Sequence, residues 1–327
     1  MGKASVIGGV LGGLAAAGTA ASFIGAKTLF DRVIPRQDGV KVDLGEMADM
    51  QQWEEYKKII HPRKEWLLQQ PLEEIDLTAR DGIRLRGYYL PAEKLSDRLV
   101  IGLHGYTSEG LGSFAAHAYF FNRQGFDVLI LDLRAHGQSE GDYIGFGVLD
   151  RFDCLDWINC VENRFGGKKR ILLHGTSMGA TTALMTLGFD GLPRSVAGVI
   201  SDCAFTTPYD VFAHILKRDY HLPPFPVMNI NNVICRKKAG YGFDDYSTLT
   251  ALKQTDRPVL FIHGEADNFV PVRMSRENAE ACVSPHELVF VPNAGHGASY
   301  YENTELYEEA ELRFIEKYIP RNGGEQV

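Results

Sequence analysis

One serine in this sequence has glycines two positions before it and two positions after it. The segment Gly175-Thr176-Ser177-Met178-Gly179 follows the apolar run 170–174 and precedes residues 180–185, whose composition suits a helix start. Written as G-x-S-x-G, this pattern predicts a tight turn between a strand and a helix. On such a turn the serine backbone is strained and its hydroxyl is pushed out of the sheet. The chemistry available to that hydroxyl is nucleophilic attack on a carbonyl carbon.

A serine hydroxyl is a poor nucleophile unless a base takes its proton and a third group orients the base. Downstream of Ser177, Asp267 lies in the loop after the apolar run 258–263. His296 lies further on, in a Gly-flanked loop after the run 288–291. The sequence therefore offers Ser177 a base and a carboxylate, each just beyond a predicted strand.

The elements predicted around these residues are strands that alternate with helices. An antiparallel hairpin is expected first, from residues 74–79 and 83–90, because both stretches alternate polar and apolar residues around a turn. The strands expected after it are the apolar runs 99–103, 126–133, 170–174, 196–203, 258–263 and 288–291. Near-continuous apolar strands separated by helices indicate a mostly parallel sheet with both faces covered. Ligands bind such sheets beyond the carboxyl ends of the strands, where the serine, aspartate and histidine lie.

From about Leu72 to the carboxy terminus, the chain resembles the α/β-hydrolase superfamily, and within it the serine aminopeptidase and monoglyceride-lipase-like group. The resemblance rests on four motifs: G-T-S-M-G at Ser177, H-G-Y-T at 104–107, D-L-R-A-H-G-Q-S-E-G at 132–141, and the paired H-G-E-A-D and G-H-G of the last two loops. The order Ser, Asp, His is the order of that family. The resemblance implies the α/β-hydrolase fold, with a mostly parallel sheet of the eight-stranded type, helices on both faces and a small cap insertion.

The resemblance also implies the role of each residue. Ser177 would be the nucleophile, His296 the general base and then acid, and Asp267 the carboxylate that orients the imidazole. Two backbone N–H groups, those of Met178 and Tyr106, would form the oxyanion hole and point at the oxygen where negative charge develops. The Met178 N–H lies at a helix start, where the helix dipole adds to this stabilisation.

Four other polar residues compete for chemical roles. Glu265 lies two residues before Asp267, and Asp202 follows the preceding predicted strand, so each is a rival acid. His104 is expected to hold its loop and to lie beside the substrate. His136 is expected to be structural.

One long stretch, about Phe205 to Leu252, breaks the alternation of strands and helices. It is rich in proline and aromatic residues and lies near the site end of the sheet. We expect a small cap there, with an ordinary crossover helix and a long loop as the alternative. Aromatic cap residues favour acyl or aryl esters over charged peptides. The expected substrate-binding residues are His104, Phe205, Tyr209 and Phe212.

Composition excludes some classes of function for this 327-residue chain. A net charge of −8 provides no basic surface for nucleic acid. The ten histidines show no H-x-x-x-H or H-E-x-x-H spacing, so no metal is expected, and no cofactor is implied. Buried free thiols are expected for the five cysteines, which form no C-x-x-C pair: Cys154, Cys160, Cys203, Cys235 and Cys282.

The amino terminus has an uncharged stretch from Ala4 to Ala26, bracketed by Lys3 and Lys27. A helix of that length, roughly 34 Å, is long enough to span a bilayer core. A single membrane anchor is therefore expected, and the stretch looks like the anchor of certain bacterial membrane-attached hydrolases. The alternatives are a secretory peptide cleaved near Ala15-Ala16-Ala17 and a buried or interfacial helix of a soluble, cytoplasmic protein.

The leading hypothesis is a membrane-associated serine hydrolase that cleaves small or lipid-like carboxylic esters through an acyl-enzyme. Its expected organisation is an anchor over residues 1–30, a helical connector over 31–71 and the hydrolase domain over 72–327, with the cap at about 205–252. An aminopeptidase, amidase or thioesterase on the same triad stays open, because fold does not decide among them. A peptidase would need a carboxylate for the free amine, and the cap region offers Asp210, Asp219, Asp244 and Asp245. Outside enzymes, the alternative is a catalytically silent binding protein.

Overall fold

The computed structural model describes residues 22–37 and 50–321. Most of the expected anchor, residues 4–21, lies outside these ranges. Residues 22–33, at the start of the described chain, are helical and are called α1 here. Among the helices that are described, none combines the length and the apolar character needed to cross a membrane.

A single sheet forms the centre of the described chain, with eight strands in the spatial order β1-β2-β4-β3-β5-β6-β7-β8. The strands are β1 (Glu73–Thr78), β2 (Arg84–Leu90), β3 (Arg98–Leu103), β4 (Asp127–Leu131), β5 (Arg170–Thr176), β6 (Val196–Asp202), β7 (Val259–Gly264) and β8 (His286–Val291). The pairs β1–β2 and β2–β4 are antiparallel, and all other neighbours are parallel. The predicted hairpin and the mostly parallel sheet are confirmed, and the strand ends differ from the prediction by at most two residues.

Helices cover both faces of this sheet. After α1, the helices are α2 (Met50–Leu68), α3 (Gly110–Ser113), α4 (Ala115–Arg123), α5 (Asp150–Phe165), α6 (Met178–Thr186), α7 (Pro208–Tyr220), α8 (Val227–Lys238), α9 (Thr248–Leu252), α10 (Arg273–Ala281), α11 (Ser299–Glu302) and α12 (Thr304–Tyr318). Within the predicted connector 31–71, α2 lies against α4, where Trp66 packs edge-on against Tyr119 with ring centroids 5.0 Å apart.

The core is divided by the sheet into two apolar clusters. Along β3, Leu99 and Ile101 belong to one cluster and Val100 to the other, because successive strand residues point to opposite faces. The first cluster includes residues of α5 and α6, and the second includes residues of α4 and α12. Every residue of β3 is buried, which explains why this strand is almost continuously apolar.

The predicted irregular stretch 205–252 is folded as α7, α8 and α9, between β6 and β7. Helix α7 begins with proline at its first position, and the Thr207 side chain caps it by accepting from the Asp210 N–H. The stretch contacts the loop that precedes α5. The Tyr241 hydroxyl donates to the Ile144 carbonyl at 2.6 Å, and the rings of Phe212 and Phe146 meet edge-on at 4.9 Å. This places the stretch beside the carboxyl end of β4.

Candidate active site

Ser177 lies at the turn between β5 and α6, as the G-x-S-x-G pattern predicts. Its backbone angles are φ 54° and ψ −116°, in a region that a residue with a side chain rarely adopts. A Cβ added to Gly175 would overlap the backbone of Gly179, and one added to Gly179 would overlap the Leu103 carbonyl. Both positions therefore need glycine, because the turn, the helix and the end of β3 approach one another at van der Waals contact.

Ser177, His296 and Asp267 form one chain of hydrogen bonds in the structure. The Ser177 Oγ lies 2.9 Å from His296 Nε2, and His296 Nδ1 lies 2.8 Å from Asp267 Oδ2. The carboxylate can only accept, so Nδ1 carries the proton and Nε2 is left to accept from the serine hydroxyl. Three residues that are remote along the sequence are thus brought together at the carboxyl ends of β5, β7 and β8.

The Asp267 side chain is buried, with 4% of the residue exposed, yet its surroundings favour the ionised form. Its Oδ1 accepts from the N–H groups of Phe269 at 2.9 Å and Val270 at 2.8 Å, and its Oδ2 lies 3.2 Å from His263 Nε2. Burial acts to raise the pKa of Asp267, but the neighbouring His296 and His263 outweigh it and hold the pKa well below its ordinary value. A negative charge is therefore fixed beside His296 Nδ1.

The two rival acids have other partners. Glu265 is exposed to solvent. Asp202 is buried and accepts from the Ser299 hydroxyl at 3.0 Å, while its backbone carbonyl accepts from the Ser177 N–H at 2.8 Å. Burial raises the pKa of Asp202 to about 6. Within the described chain, neither carboxylate hydrogen-bonds to His296.

The two predicted oxyanion donors lie on the two segments that meet at Ser177. Met178 is the first residue of α6, and the N–H groups of a first helical turn have no carbonyl partner within their helix. Tyr106 lies in the loop after β3, and this loop passes beside the serine. A Cβ added to Gly105 would lie 3.6 Å from the Ser177 Cβ, which is ordinary contact.

His104 is held by backbone groups, and its expected contact with substrate stays a prediction. His104 is 1% exposed, its Nδ1 donates to the Gly105 carbonyl at 2.7 Å, and its Nε2 accepts from the Leu133 N–H at 3.0 Å. Burial lowers the pKa of His104 to about 4, so the ring is neutral and can accept through Nε2. With both nitrogens bound to backbone groups, His104 ties the loop of Tyr106 to the segment after β4. His136 packs edge-on against His104 and bonds to the Arg134 carbonyl at 2.9 Å, as expected for a structural residue.

The three aromatic residues expected to bind substrate belong to a cluster beside the loop of Tyr106. Phe205 and Phe212 are buried and Tyr209 is half-buried. The Phe205 N–H donates to the Thr181 hydroxyl of α6 at 3.0 Å. Phe212 packs between Phe146 and Phe243, and Phe146 in turn lies 5.1 Å from the Tyr106 ring. These rings form an apolar wall near the site, and their contact with substrate stays a prediction.

Sequence patterns assigned no role at the site to two buried residues next to the three-residue chain, His263 and Cys203, although Cys203 was expected to be a buried free thiol. His263, at the end of β7, lies 2.6 Å from the Ser275 Oγ through Nδ1 and 2.9 Å from the Val270 carbonyl through Nε2. Its place four residues before Asp267, in the H-G-E-A-D motif, was a signal that could have identified it. Cys203 follows β6 with φ 49°, and burial raises the pKa of its thiol well above the ordinary value, so it stays protonated. No sequence pattern singled it out.

In the part of the chain that the structure describes, two sets of buried side chains hold donor atoms within 4.8 Å of one another, close enough to consider a metal ion: Cys203 with Asp267 and His296, and His117 with His174 and Glu311. In the first set the thiol is protonated and the other two groups are hydrogen-bonded to each other. In the second set, burial holds the pKa of Glu311 well above its ordinary value and the pKa of His174 well below. His174 Nε2 lies 3.0 Å from Glu311 Oε1, and burial favours the neutral form of both groups. A metal ion bound to either set would have to displace a proton from the thiol or the carboxyl group.

The fold and the site together define a class of protein. A family model for the alpha/beta hydrolase fold matches residues 98–226, and a model for TAP-like proteins matches residues 227–316. Among curated proteins, the chain is similar to YqkD of Bacillus subtilis strain 168, with 30% identity over 238 residues that cover 72% of this chain and 76% of the relative. The chain belongs to the α/β-hydrolase family.

More distant similarities extend this comparison. The alpha/beta hydrolase domain-containing protein WAV2 of Arabidopsis thaliana is 25% identical over 267 residues, which cover 78% of this chain and 82% of WAV2. Among solved structures, the Pyrococcus furiosus esterase Pf2001 is 23% identical, with a TM-score of 0.63 over 78% of this chain and 94% of that one. The Pyrococcus horikoshii acylaminoacyl peptidase is 16% identical, with a TM-score of 0.57 over 78% of this chain and 43% of that one. At these identities the two structures share the fold with this chain.

Proposed function

We propose that this protein is a serine hydrolase that cleaves carboxylic esters, with Ser177 as nucleophile, His296 as general base and acid, and Asp267 as orienting carboxylate. The observation on which the proposal depends is the 2.9 Å contact between Ser177 Oγ and His296 Nε2, continued by the 2.8 Å contact from His296 Nδ1 to Asp267. A relay of this kind activates a hydroxyl that is otherwise a poor nucleophile at neutral pH.

The reaction would proceed in two halves. As Ser177 Oγ attacks the ester carbonyl, His296 Nε2 takes the hydroxyl proton, and the imidazolium is stabilised by Asp267. His296 then donates that proton to the leaving alcohol, and the acyl group stays on the serine. A water molecule attacks the acyl-enzyme with His296 again as base, and the acid leaves with the serine hydroxyl restored.

The N–H groups of Met178 and Tyr106 would bind the oxyanion in both halves. Their charge stabilisation is larger in the tetrahedral state than in the ground state, so they lower the barrier rather than tighten substrate binding. Loss of one such donor typically costs about 3–4 kcal/mol.

An ester is favoured over a peptide with a free amino terminus because the candidate amine-binding carboxylates are already engaged. Asp210 accepts from the hydroxyls of Thr206 at 2.6 Å and Thr207 at 2.7 Å. Asp219 is paired with Arg218, and both Asp244 and Asp245 are paired with Arg236. The aromatic wall near the site suits an acyl or aryl group, and the fold shared with an esterase from Pyrococcus furiosus agrees with this choice.

We further propose the domain organisation expected from the sequence, with 72–327 as the hydrolase domain of the serine aminopeptidase and monoglyceride-lipase-like group and 205–252 as its cap. The contacts of Tyr241 and Phe212 with the loop before α5 support a cap beside the site. Ala26 and Phe30 are buried against the domain, so an anchor within residues 4–26 would end before Ala26.

The test of the proposed activity is reaction with a fluorophosphonate probe, together with hydrolysis of p-nitrophenyl esters. Wild-type protein is expected to label, and Ser177→Ala is expected to lose labelling and to lose about 10⁴-fold or more in kcat. The matched control is Ser201→Ala, which removes a buried serine hydroxyl from the neighbouring strand β6. Equal labelling of wild type and Ser177→Ala, or none in folded wild type, would refute the proposal. Aminoacyl anilides assayed beside the ester panel separate an esterase from a peptidase.

We also propose that the uncharged stretch at the amino terminus attaches the protein to a membrane. The test is to fractionate cells that express the full chain or a chain without residues 1–21. We expect the full chain in the membrane fraction and the shortened chain in the supernatant, because the uncharged stretch would be the attachment. Removal of residues 1–21 leaves α1 intact, so the shortened protein should still label with the probe. A supernatant pool of equal size for both chains would contradict the anchor.

A further inference from the structure

The segment 22–37 precedes the predicted hydrolase domain and both regions matched by family models, yet it packs against the candidate site. Phe30, Val33 and Ile34 are buried. They belong to the same apolar cluster as Phe146 and Tyr106. Tyr106 lies in the loop after β3, residues 104–107, which we call the oxyanion loop. The segment is thus part of the core that surrounds the site.

The Tyr106 side chain makes a direct hydrogen bond to this segment. Its hydroxyl donates to the Val33 carbonyl at 3.1 Å, and the residue is 8% exposed. Val33 is the last residue of α1, where backbone carbonyls have no partner within the helix. The tyrosine hydroxyl therefore satisfies a carbonyl that would otherwise be buried unpaired, which fixes the ring at a defined position.

Residues 34–36 are in turn bound to the loop between β4 and α5. The Ile144 N–H donates to the Ile34 carbonyl and the Arg36 N–H donates to the Asp142 carbonyl, both at 2.8 Å. The Arg36 guanidinium donates to the Ser139 carbonyl and, at 2.7 Å, to the Gly137 carbonyl. The Val33 carbonyl, which accepts from the Tyr106 hydroxyl, is therefore fixed by α1 before it and by the bonds of residues 34–36 after it.

The oxyanion loop itself has a conformation that needs support. Thr107, the residue after Tyr106, has φ 55°, which is costly for a β-branched side chain. One end of the loop is held by His104, whose Nε2 accepts from the Leu133 N–H. The other end is held by the Tyr106 hydroxyl on Val33. The Tyr106 N–H lies between these two attachments.

We propose that residues 22–37 are a working part of the active site, and that the bond from the Tyr106 hydroxyl to the Val33 carbonyl positions the Tyr106 N–H in the oxyanion hole. This inference rests on the proposed function. It makes the Tyr106 hydroxyl a positioning group: it does not touch the substrate, and it acts through the N–H of its own residue. Misplacement of a catalytic group by about 1 Å can cost roughly 10²-fold in rate.

The test is Tyr106→Phe in the full chain, which keeps the ring against Phe146 and removes only the hydroxyl. We expect kcat for p-nitrophenyl ester hydrolysis to fall about 5–20-fold with KM within about two-fold, because an oxyanion donor acts in the transition state. The matched control is Tyr89→Phe, which removes a buried hydroxyl bonded at 2.8 Å to Asp127, at the start of β4. This control is expected to keep both kcat and KM.

A second variant, Arg36→Met, loosens the segment without touching Tyr106. It removes the guanidinium bonds to Gly137 and Ser139 and keeps the aliphatic part of the side chain. We expect a fall of kcat in the same direction, and in the double variant with Tyr106→Phe the two effects should be less than additive, because both act on one attachment. If Arg36→Met fails to fold, Tyr106→Phe alone decides.

An unchanged kcat in folded Tyr106→Phe would overturn the inference. A raised KM at constant kcat would also overturn it, since that result would assign the hydroxyl to substrate binding. The Ser177→Ala variant separates this failure from failure of the proposed function. If Ser177→Ala is inactive and Tyr106→Phe is fully active, only the positioning role of the Tyr106 hydroxyl is refuted. If Ser177→Ala keeps the activity, the proposed function itself is refuted.

Discussion

The three carboxylates considered for the acid of the site, Asp267, Asp202 and Glu265, differ in what surrounds them. Asp267 faces two histidines and accepts from two backbone N–H groups, which lowers its pKa in spite of burial. Asp202 has a serine partner, and burial dominates its environment, so its pKa rises to about 6. Glu265 is exposed. Of the three, only Asp267 combines a pKa below its ordinary value with a position beside His296 Nδ1, where a protonated imidazole needs a negative charge.

At the residue scale, Asp267→Asn is expected to lower kcat for ester hydrolysis by about 10³–10⁴-fold. The amide cannot accept the Nδ1 proton as a carboxylate does, so the imidazole loses its tautomer and its counter-charge. Glu265→Gln is the control and should hydrolyse esters at the wild-type rate. Assigning the acid to Asp267 would be wrong if Glu265→Gln, or Asp202→Asn, lowered kcat more than Asp267→Asn. Circular dichroism of each variant establishes that it is folded.

At the scale of elements, the site depends on how closely three backbones approach at the turn between β5 and α6. Gly179, in the first turn of α6, leaves no room for a Cβ against the carbonyls of Leu103 and His104. The helix start and the oxyanion loop are therefore in contact through backbone atoms. The spacing between the Met178 and Tyr106 N–H groups follows from this contact, so it should respond to side-chain volume at residue 179.

The variant Gly179→Ala tests this contact. We expect it to push α6 away from the oxyanion loop, with a fall of kcat of about 10²-fold or more and a loss of roughly 1–3 kcal/mol in the free energy of unfolding. Gly25→Ala is the control: this helical glycine has open space where a Cβ would lie, so stability should be kept or slightly raised. Urea unfolding and ester kinetics are the measurements. A fully active Gly179→Ala enzyme would show that the site does not depend on this approach.

At the scale of the whole molecule, the second apolar cluster contains polar groups that the proposed mechanism does not use. His174 of β5 meets Glu311 of α12 at 3.0 Å, the Tyr307 hydroxyl lies 3.4 Å from His174 Nε2, and the His117 ring lies 4.3 Å from the His174 ring. Burial, with smaller contributions from Glu308 and Asp202, raises the pKa of Glu311 well above its ordinary value. Burial therefore favours the protonated form of Glu311 in the folded protein, whereas a glutamate in the unfolded chain is ionised at neutral pH.

This difference predicts a pH-dependent stability. The contribution of Glu311 to the free energy of unfolding is fully present below its unfolded pKa of about 4.5. It is lost as the pH rises toward the folded pKa, at up to about 1.4 kcal/mol per pH unit. In Glu311→Gln the amide can still donate to His174 and has no proton to lose. The free energy of unfolding should therefore fall less in this variant than in wild type as the pH rises above about 4.5. The exposed residue Glu316 of the same helix supplies the control, Glu316→Gln. Parallel pH profiles for wild type and Glu311→Gln would contradict the prediction.

The sequence by itself determined the sheet and the order of its strands along the chain. The alternation of polar and apolar residues and the continuous apolar runs are local properties of each strand. It also located Ser177, since the flanking glycines report how tightly the backbone must turn. Asp267 and His296 could be placed beside it from their positions just after strands, because the carboxyl ends of parallel strands meet at one edge of the sheet.

Only the tertiary structure decided which side chains support this arrangement. His104 was expected beside the substrate, and its two nitrogens proved to be bound to backbone groups. His263 touches Asp267, and the Tyr106 hydroxyl reaches Val33, 73 positions away in the chain. The contacts of Tyr106 with Val33 and of His104 with Leu133 join segments that are far apart in sequence. All of these contacts depend on distances and on burial, and neither quantity is a property of a residue type or of its spacing.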